Sequence, residues 1–490
     1  MDRISKPLPR AASAEATGLS SSVVTDFAVR MDELTDIHSF MILRNGTVVA
    51  EAWKAPYSAS EPHMLYSLSK SFTSTAAGLA IGQGLLSLNT RVLELFPNEA
   101  PTSPDVNLQK MELRHLLCMG TGHHEDTTGR LRGDNGRDDV NSAPQSWVRA
   151  FLSLPVEHEP GTYFVYNSGA SYMVSAMVQK AVGCTVLQYL EEKLFTPLGI
   201  VGASWDVCPD GVNVGGWGLW LKTEDIARFG QLYLQDGVWN GVRILPEGWV
   251  SRASSRHIAN GDNPESDWNQ GYGFQFWRCR HNAYRGDGAF GQYCVVMPDQ
   301  NMVVAITSGL GDMQTPLNII WDTLVLNAKS APLPIDTTAA TALKHRLNRM
   351  SIATSPASNV TKAEQDQLTG AWEFAANDDK VESVEVAIAA DEIKLNFHLA
   401  GKESCISAGT KGRWMHGHFA FLETADTHVG ATATWLEKGK LEVKICYTRT
   451  PFVRTLRLDV NDTTLTMEIA RNVSFEGTGA KTYVASRRSH

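Results

Sequence analysis

Ser67 and Lys70 are the first residues in this chain from which chemistry can be argued. They lie in Tyr66-Ser-Leu-Ser-Lys-Ser-Phe72, and the Ala-, Leu- and small-residue-rich run from Thr73 to Gly84 reads as a buried helix. Side chains three apart share a helix face, so the two would stand side by side at its first turn. A hydroxyl with a basic amine in reach is an activatable nucleophile. The free N–H groups and positive end of the helix lie where an oxyanion would form. Alone, the tetrad says little. With 36 Ser and 18 Lys among 490 residues, chance supplies about one Ser-x-x-Lys, and the chain holds one. A Ser near a helix start with a surface Lys behind it would read identically.

Two later segments give the pair company. His158-Glu-Pro-Gly-Thr-Tyr-Phe-Val-Tyr-Asn-Ser168 has a Pro-Gly turn and a short aromatic run, and places Tyr166-Asn167-Ser168 just before a helix. A Tyr beside the Ser/Lys pair would relay a proton to a leaving group. A polar residue two places on would bond the Lys or a substrate amide. Arg285-Gly-Asp-Gly-Ala-Phe-Gly-Gln292 leads into an apolar strand. Its glycines would let a strand edge approach a substrate closely, and the next N–H would complete an oxyanion hole.

The elements that must hold these segments follow from periodicity. Residues 1–22 read as a loose arm, with Ser22 capping a helix to about Leu34. Ser39–Trp53 reads as a hairpin around Asn45-Gly46. Residues 85 to about 265 are mostly helical, with helices near Met111–Met119, Ser146–Leu154, Tyr172–Val182 and Leu187–Phe195. Thr223–Leu234 is an amphipathic helix with Thr223 as its N-cap. Strands return at Tyr272–Arg278, Gln292–Pro298 and Met302–Ser308, and Pro316–Leu326 closes the unit as a helix. Strands, helical insertion, strands and helix make an α/β sandwich: an antiparallel sheet with flanking helices plus an all-helical lobe. Residues 331–364 read as a linker, with a possible helix at Ala339–Met350. From about 365 to 490, short alternating runs predict a second, all-β domain, an antiparallel sandwich or a lipocalin-like barrel. The expected units are therefore 1–22, 23–330, 331–364 and 365–490.

Composition narrows the function classes. Hydrophobic residues make up 43% and charged residues 20% of a chain with formal charge −9, so a large core is expected. No basic tract points to nucleic acid or a membrane surface, and no run of about 18 apolar residues suggests a membrane span. The polar start, with Pro7 and Pro9, does not read as a secretory signal. Seven scattered cysteines form no Cys-x-x-Cys pair, so neither zinc nor a disulfide framework is expected. A reduced, cytoplasmic protein needing no metal or cofactor is the resulting expectation.

Taken together, the blocks resemble the serine β-lactamase and penicillin-binding-protein-like superfamily, nearest its class C β-lactamase-like esterase and D-aminopeptidase branch. The resemblance covers about residues 15–330. It rests on Glu15–Ser20, Ser67-x-x-Lys70, Leu113–Leu117 with Gly120-Thr-Gly122, the Pro160-Gly161…Tyr166 block and the Thr223–Gly230 helix. It implies that Ser67 attacks a carbonyl and becomes acylated, with Lys70 and Tyr166 sharing the acid and base work. The N–H groups of Ser67 and Ala289 would form the oxyanion hole, beside Gly288. A neutral Lys70 would need its pKa lowered by about three units.

Two departures from the family pattern matter. The usual Tyr-x-Asn is Tyr166-Asn167-Ser168, so Ser168 stands where Asn is common, and Asn167 is an alternative substitute. The Lys/His-x-Gly strand motif reads Gly286-Asp287-Gly288. No cation occupies its first position, Arg285 should point to the other face, and Asp287 would repel a carboxylate. The resemblance thus implies a hydrolase for a small-molecule neutral ester or amide, or an amine-bearing substrate, with weak or no β-lactamase activity. An acyltransferase using the same acyl-enzyme and a non-catalytic binding protein on the same fold remain alternatives. Gly286-x-Gly-x-x-Gly291 matches a dinucleotide fingerprint but precedes a strand-like run. His123-His-Glu-Asp126 reads as a pocket-lining or solvated loop before a metal site. Trp217 and Trp220 suit either an apolar pocket or the core.

Overall fold

A computed structural model of the chain describes residues 6–132, 146–422, 427–461 and 463–488. Its first sheet holds β1 (Ile37–Arg44), β2 (Thr47–Trp53), β3 (Trp277–Arg278), β4 (Tyr284–Gly288), β5 (Gln292–Met297) and β6 (Met302–Ser308). All pair antiparallel, in the order β2-β1-β6-β5-β4-β3. The principal helices are α1 (Ser21–Glu33), α2 (Ser69–Gly82), α3 (Ser168–Val182), α4 (Thr223–Leu234), α5 (Gln314–Ile319) and α6 (Thr337–Leu347). The β1–β2 hairpin turns on Asn45 (φ 52) and Gly46 (φ 78), the two left-handed residues that a two-residue turn matched to strand twist requires.

The apolar run of β1 has a direct cause. Phe40 and Ile42 enter a core with Phe27 and Met31 of α1 and Leu317 of α5. Met41 and Leu43, one residue out of phase, enter the opposite core with Phe72 of α2 and Phe229 of α4. A strand covered on both faces carries apolar side chains at every position. The sheet is thus sandwiched between helices, and the segment between β2 and β3 forms the helical lobe.

After α6 come β7 (Gly370–Phe374), β8 (Val381–Ile388), β9 (Glu392–Leu399), β10 (Lys402–Gly409), β11 (Met415–Phe419), β12 (Thr427–Glu437), β13 (Lys440–Tyr447), β14 (Val453–Asn461), β15 (Thr464–Arg471) and β16 (Lys481–Arg487). Their order is β10-β9-β8-β7-β16-β15-β14-β13-β12-β11. A parallel bridge from Gly409 to Thr432 joins β10 to β12 and closes nine strands into a barrel, leaving β11 attached to β12. The interior is filled by Trp372, Phe397, Leu456 and Leu458, so this is a packed barrel rather than a sandwich.

Several local expectations shift. Ser20, not Ser22, caps α1 by accepting from Val23 N at 3.2 Å. Lys222 is the N-cap of α4, and Thr223 Oγ1 instead bonds Ser39 Oγ at 2.7 Å. The strand read at 272–278 shrinks to β3, because buried Gln275 takes a positive φ of 61 and donates to Leu116 O and Leu117 O. The N-terminal arm is not loose from Leu8 onward. Leu8 N donates to Glu224 Oε1 at 2.6 Å, and Pro9 O accepts from Val48 N at 2.8 Å. In the stretch read as a linker, α6 packs Leu343 into the α1 core, and Arg346 pairs with Asp32 at 2.9 Å. Asn461-Asp462 reads in the sequence as a turn between two of the alternating runs; Asp462 lies outside the described residues.

Candidate active site

Ser67 stands in a tight turn, Tyr66–Leu68, that runs straight into α2. Tyr66 adopts a positive φ of 46, a conformation bulky residues normally avoid. From Ser69 to Ala80 the helix is buried, and its hydroxyls anchor it to the surrounding loops. Ser71 Oγ donates to Gln275 O at 2.8 Å and Ser74 Oγ to Phe274 O at 2.7 Å. Thr73 Oγ1 donates to Gly215 O at 2.7 Å, while Ser69 Oγ accepts from Leu219 N at 3.1 Å. Small residues let the helix sit deep, and the hydroxyls fix its rotation. Ser67 and Lys70 are thereby aimed at one cleft.

Lys70 Nζ lies 2.9 Å from Ser67 Oγ, 3.0 Å from Ser168 Oγ and 2.8 Å from Gly216 O. A carbonyl only accepts, so one N–H is committed to Gly216. A neutral amine has a second N–H for Ser168 and a lone pair left for the Ser67 hydroxyl. Burial lowers the Lys70 pKa to about 7, opposed by the charges of Asp126 and Asp287. The Tyr166 ring lies under the ammonium at 4.8 Å, and its hydroxyl bonds Ser67. Burial pushes the phenol far above its ordinary value, so Tyr166 holds its proton at neutral pH.

The Tyr166-Asn167-Ser168 segment divides its work. Ser168 reaches Lys70. Asn167 is fully buried and caps α3, its Oδ1 accepting from Ala170 N at 3.2 Å and from Thr127 Oγ1 at 2.8 Å. The structure therefore places Asn167 behind the cleft wall and not among its lining residues.

Strand β4 supplies the opposite wall, for a reason that differs from the sequence reading. Its glycines admit the Tyr66–Leu68 turn rather than a substrate. A Cβ on Gly288 would collide with Leu65 O, and one on Gly286 would lie 2.5 Å from Leu68 Cδ1 and Ser71 Oγ. A lysine at 286 has no room there. Arg285 does point away from the Gly286 face, but alternation puts it on the same face as Asp287. Arg285 Nε donates to Asp287 Oδ2 at 2.8 Å, with the guanidinium stacked 4.4 Å from the Trp268 ring. Asp287 is thus charge-compensated, which tempers the repulsion predicted for it; burial raises its pKa and Arg285 opposes the rise.

These walls enclose a cavity of about 810 Å³ lined by Ser67, Tyr166, Ser168, Asp287 and Ala289 of the predicted set. Gly288 lies behind it against Leu65. The lining also includes Asp126, Asp206, Gly216, Trp217, Trp268, Trp277, Met313 and Phe475. Trp217 therefore belongs to the cavity, whereas Trp220 bonds Asp206 at 3.5 Å. Asp126 comes from the His-His-Glu-Asp loop, where its Oδ1 accepts from Ser168 N at 3.0 Å. Its neighbours turn elsewhere: His123 is buried on Thr121, and His124 stacks on Tyr163. Among the described residues no group of three His, Cys, Asp or Glu could hold a metal ion. Gly286–Gly291 spans a strand and its turn into β5, which offers no helix N-terminus for a pyrophosphate. Nothing in the sequence marked Trp268, Trp277, Asp206 or Phe475, since each reaches the cleft from a separate element.

A sheet held between helices, a helical lobe and a Ser-x-x-Lys turn facing a Tyr across one cleft define a β-lactamase-like protein. A family model described as Beta-lactamase matches residues 38–316, and the chain belongs to that family of serine hydrolases and penicillin-binding proteins. It is 26% identical over 306 residues to a 6-aminohexanoate-dimer hydrolase of Paenarthrobacter ureafaciens, covering 59% of this chain and 76% of that one. It is 25% identical over 316 residues to penicillin-binding protein 4 of Amycolatopsis lactamdurans, covering 56% and 78%. Acyltransferases are also among its relatives. The solved structure of a putative 6-aminohexanoate-dimer hydrolase from Bacillus anthracis shares the fold, with a TM-score of 0.52 and 21% identity over 66% of this chain and 87% of that one. No helix among the described residues is long and apolar enough to cross a membrane.

Proposed function

We infer that the protein is a serine hydrolase that cleaves an ester or amide of a small molecule through an acyl-Ser67 intermediate. The observation that carries this reading is the Lys70 amine, buried, poised near neutrality and 2.9 Å from Ser67 Oγ. Lys70 takes the Ser67 proton as the oxygen attacks the carbonyl. The N–H groups of Ser67 and Ala289 stabilise the oxyanion. Tyr166, which keeps its proton, delivers it to the leaving group, and the proton that Lys70 took from Ser67 restores the phenol. Water then releases the acyl group by the same route in reverse.

The lining supports a neutral or amine-bearing substrate. Asp126, Asp206 and Asp287 face the cavity together with three indoles, and no Lys or Arg is among its described lining residues. A substrate carboxylate therefore meets no free cation, and β-lactam hydrolysis should be weak. A relative named for a 6-aminohexanoate dimer, which carries an amine at one end and a carboxylate at the other, agrees with the amine-bearing part of this reading alone. The aromatic lining also favours a second reading, transfer of the acyl group to an alcohol or amine in place of water. Seven free thiols support a reduced, cytoplasmic setting.

The test is rapid-mixing mass spectrometry of the intact protein with p-nitrophenyl esters, beside Ser67→Ala. An acyl mass shift on the wild type alone is expected. Added alcohol or amine acceptors separate transfer from hydrolysis. If neither protein is acylated and neither turns over an ester or amide, the reading fails and a binding role takes its place.

A further inference from the structure

Tyr66 and Phe475 line the cavity that holds Ser67 and Ala289, and they belong to a cluster of four aromatic rings, with Phe290 and Phe452, drawn from both halves of the molecule. Tyr66 immediately precedes Ser67, and Phe290 immediately follows Ala289. Their rings meet edge-on at 5.6 Å, and both residues hold left-handed backbones (φ 46 and 66). Onto this pair the C-terminal barrel lays two more rings. Phe475, in the connection between β15 and β16, lies 4.7 Å from Phe290 and 5.8 Å from Tyr66. Phe452, between β13 and β14, lies 6.0 Å from Phe290.

Phe475 is 73% exposed, so it adds little to any core, yet it lines the same cavity as Ser67. Nor is it a free loop tip. Asn472, three residues before it, donates to Gly309 O at 3.0 Å and Pro451 O at 2.9 Å and accepts from Val453 N at 2.8 Å. An aromatic ring fixed in this way gains burial only when something in the cleft covers it, and a Phe side chain has well over 100 Å² to bury.

We propose that Phe475, contributed by the barrel, is a substrate-contacting residue that gives the cleft its preference for an apolar chain or ring beside the scissile carbonyl. The proposal rests on the acyl-Ser67 reading for its orientation, and it extends the active site into the C-terminal domain.

The experiment compares wild type, Phe475→Ala and Phe475→Leu with p-nitrophenyl acetate and octanoate. The ratio of kcat/KM for octanoate over acetate should fall about 10-fold or more in Phe475→Ala, the scale of lost apolar contact in a pocket, and largely return in Phe475→Leu. Thermal melting should stay within a few degrees of wild type. A second arm measures equilibrium binding of the same two esters to Ser67→Ala and to the double variant with Phe475→Ala. It reads the cavity without turnover. Loss of the octanoate preference in the double variant supports the proposal even if Ser67 proves not to be the nucleophile. An unchanged octanoate-to-acetate ratio in both arms overturns it and leaves the acyl-Ser67 reading intact.

Discussion

Lys70 carries the most testable chemistry at the scale of single residues. Only its neutral form accepts the Ser67 proton, so kcat/KM for a neutral ester should rise with pH through an apparent pKa of about 7 and then level off. The Asp126 charge raises the Lys70 pKa. Asp126→Asn, whose carbonyl can still accept from Ser168 N, should therefore move that limb to lower pH. A limb that does not move assigns the titration to another group. Lys70→Arg keeps a charge that does not titrate in this range. It should lower kcat by about 10²- to 10⁴-fold, the usual weight of a general base, with folding checked by circular dichroism.

At the scale of elements, strand β4 carries the departure from the family's Lys/His-x-Gly motif. Installing the family's cation by Gly286→Lys should not create carboxylate recognition, because the side chain would run into Leu68 and Ser71. Lower stability and no gain in β-lactam turnover are the expected results, read by melting and a nitrocefin assay. The Arg285–Asp287 pair is nearly inaccessible to solvent. Arg285→Met alone strands a buried carboxylate and should cost about 3–5 kcal/mol, whereas Arg285→Met with Asp287→Leu should recover much of the loss. A denaturant-melt double-mutant cycle reads the difference.

A second buried pair lies behind the site: His38 Nδ1 is 3.1 Å from His63 Nε2, with Tyr57 stacked on His38. Burial lowers His63 to about 4 and holds His38 well below its ordinary value. The unfolded chain takes up protons near pH 6.5 that the folded protein refuses, so stability falls as pH drops from 6.5 towards 4. His63 alone accounts for roughly 3 kcal/mol across that window. His63→Gln should flatten the dependence of melting temperature on pH there.

At the scale of the whole molecule, the barrel is docked where it matters for the cleft. Met64 N donates to Arg449 O at 2.8 Å, three residues before Ser67. Tyr57 and Ile352 share a small core with Cys446 and Val453. Asn472 ties the Phe475 connection to Gly309. Asn472→Ala should loosen that connection and reduce the octanoate-to-acetate ratio as Phe475→Ala does, with a melting loss of a few degrees at most. A ratio equal to wild type would show that the ring holds its place without the tether.

Local patterns sufficed for much of this protein. Asn45-Gly46 marks its hairpin because few residues adopt paired left-handed conformations, and Ser67-x-x-Lys70 lies on one face because helical turns repeat locally. Alternation along 384–469 foretold six barrel strands, since each has one face in the core. β7, β10, β11 and β16 escaped notice, because most of β11 is exposed, β10 buries Ile406 and Ala408 among polar and small neighbours, and in β7 and β16 the apolar runs are short. The family pattern placed Tyr166 and Ala289 near Ser67 before any contact was known. Tertiary structure alone decided that Ser168 rather than Asn167 meets Lys70, because helix α3 needs Asn167 as its cap. It alone paired Arg285 with Asp287, and it alone brought Phe475 across some 400 residues of chain to the cleft. Sequence spacing records what a turn or a strand places together. Which distant side chains share a cavity depends on how packed elements close around it, and no local pattern carries that information.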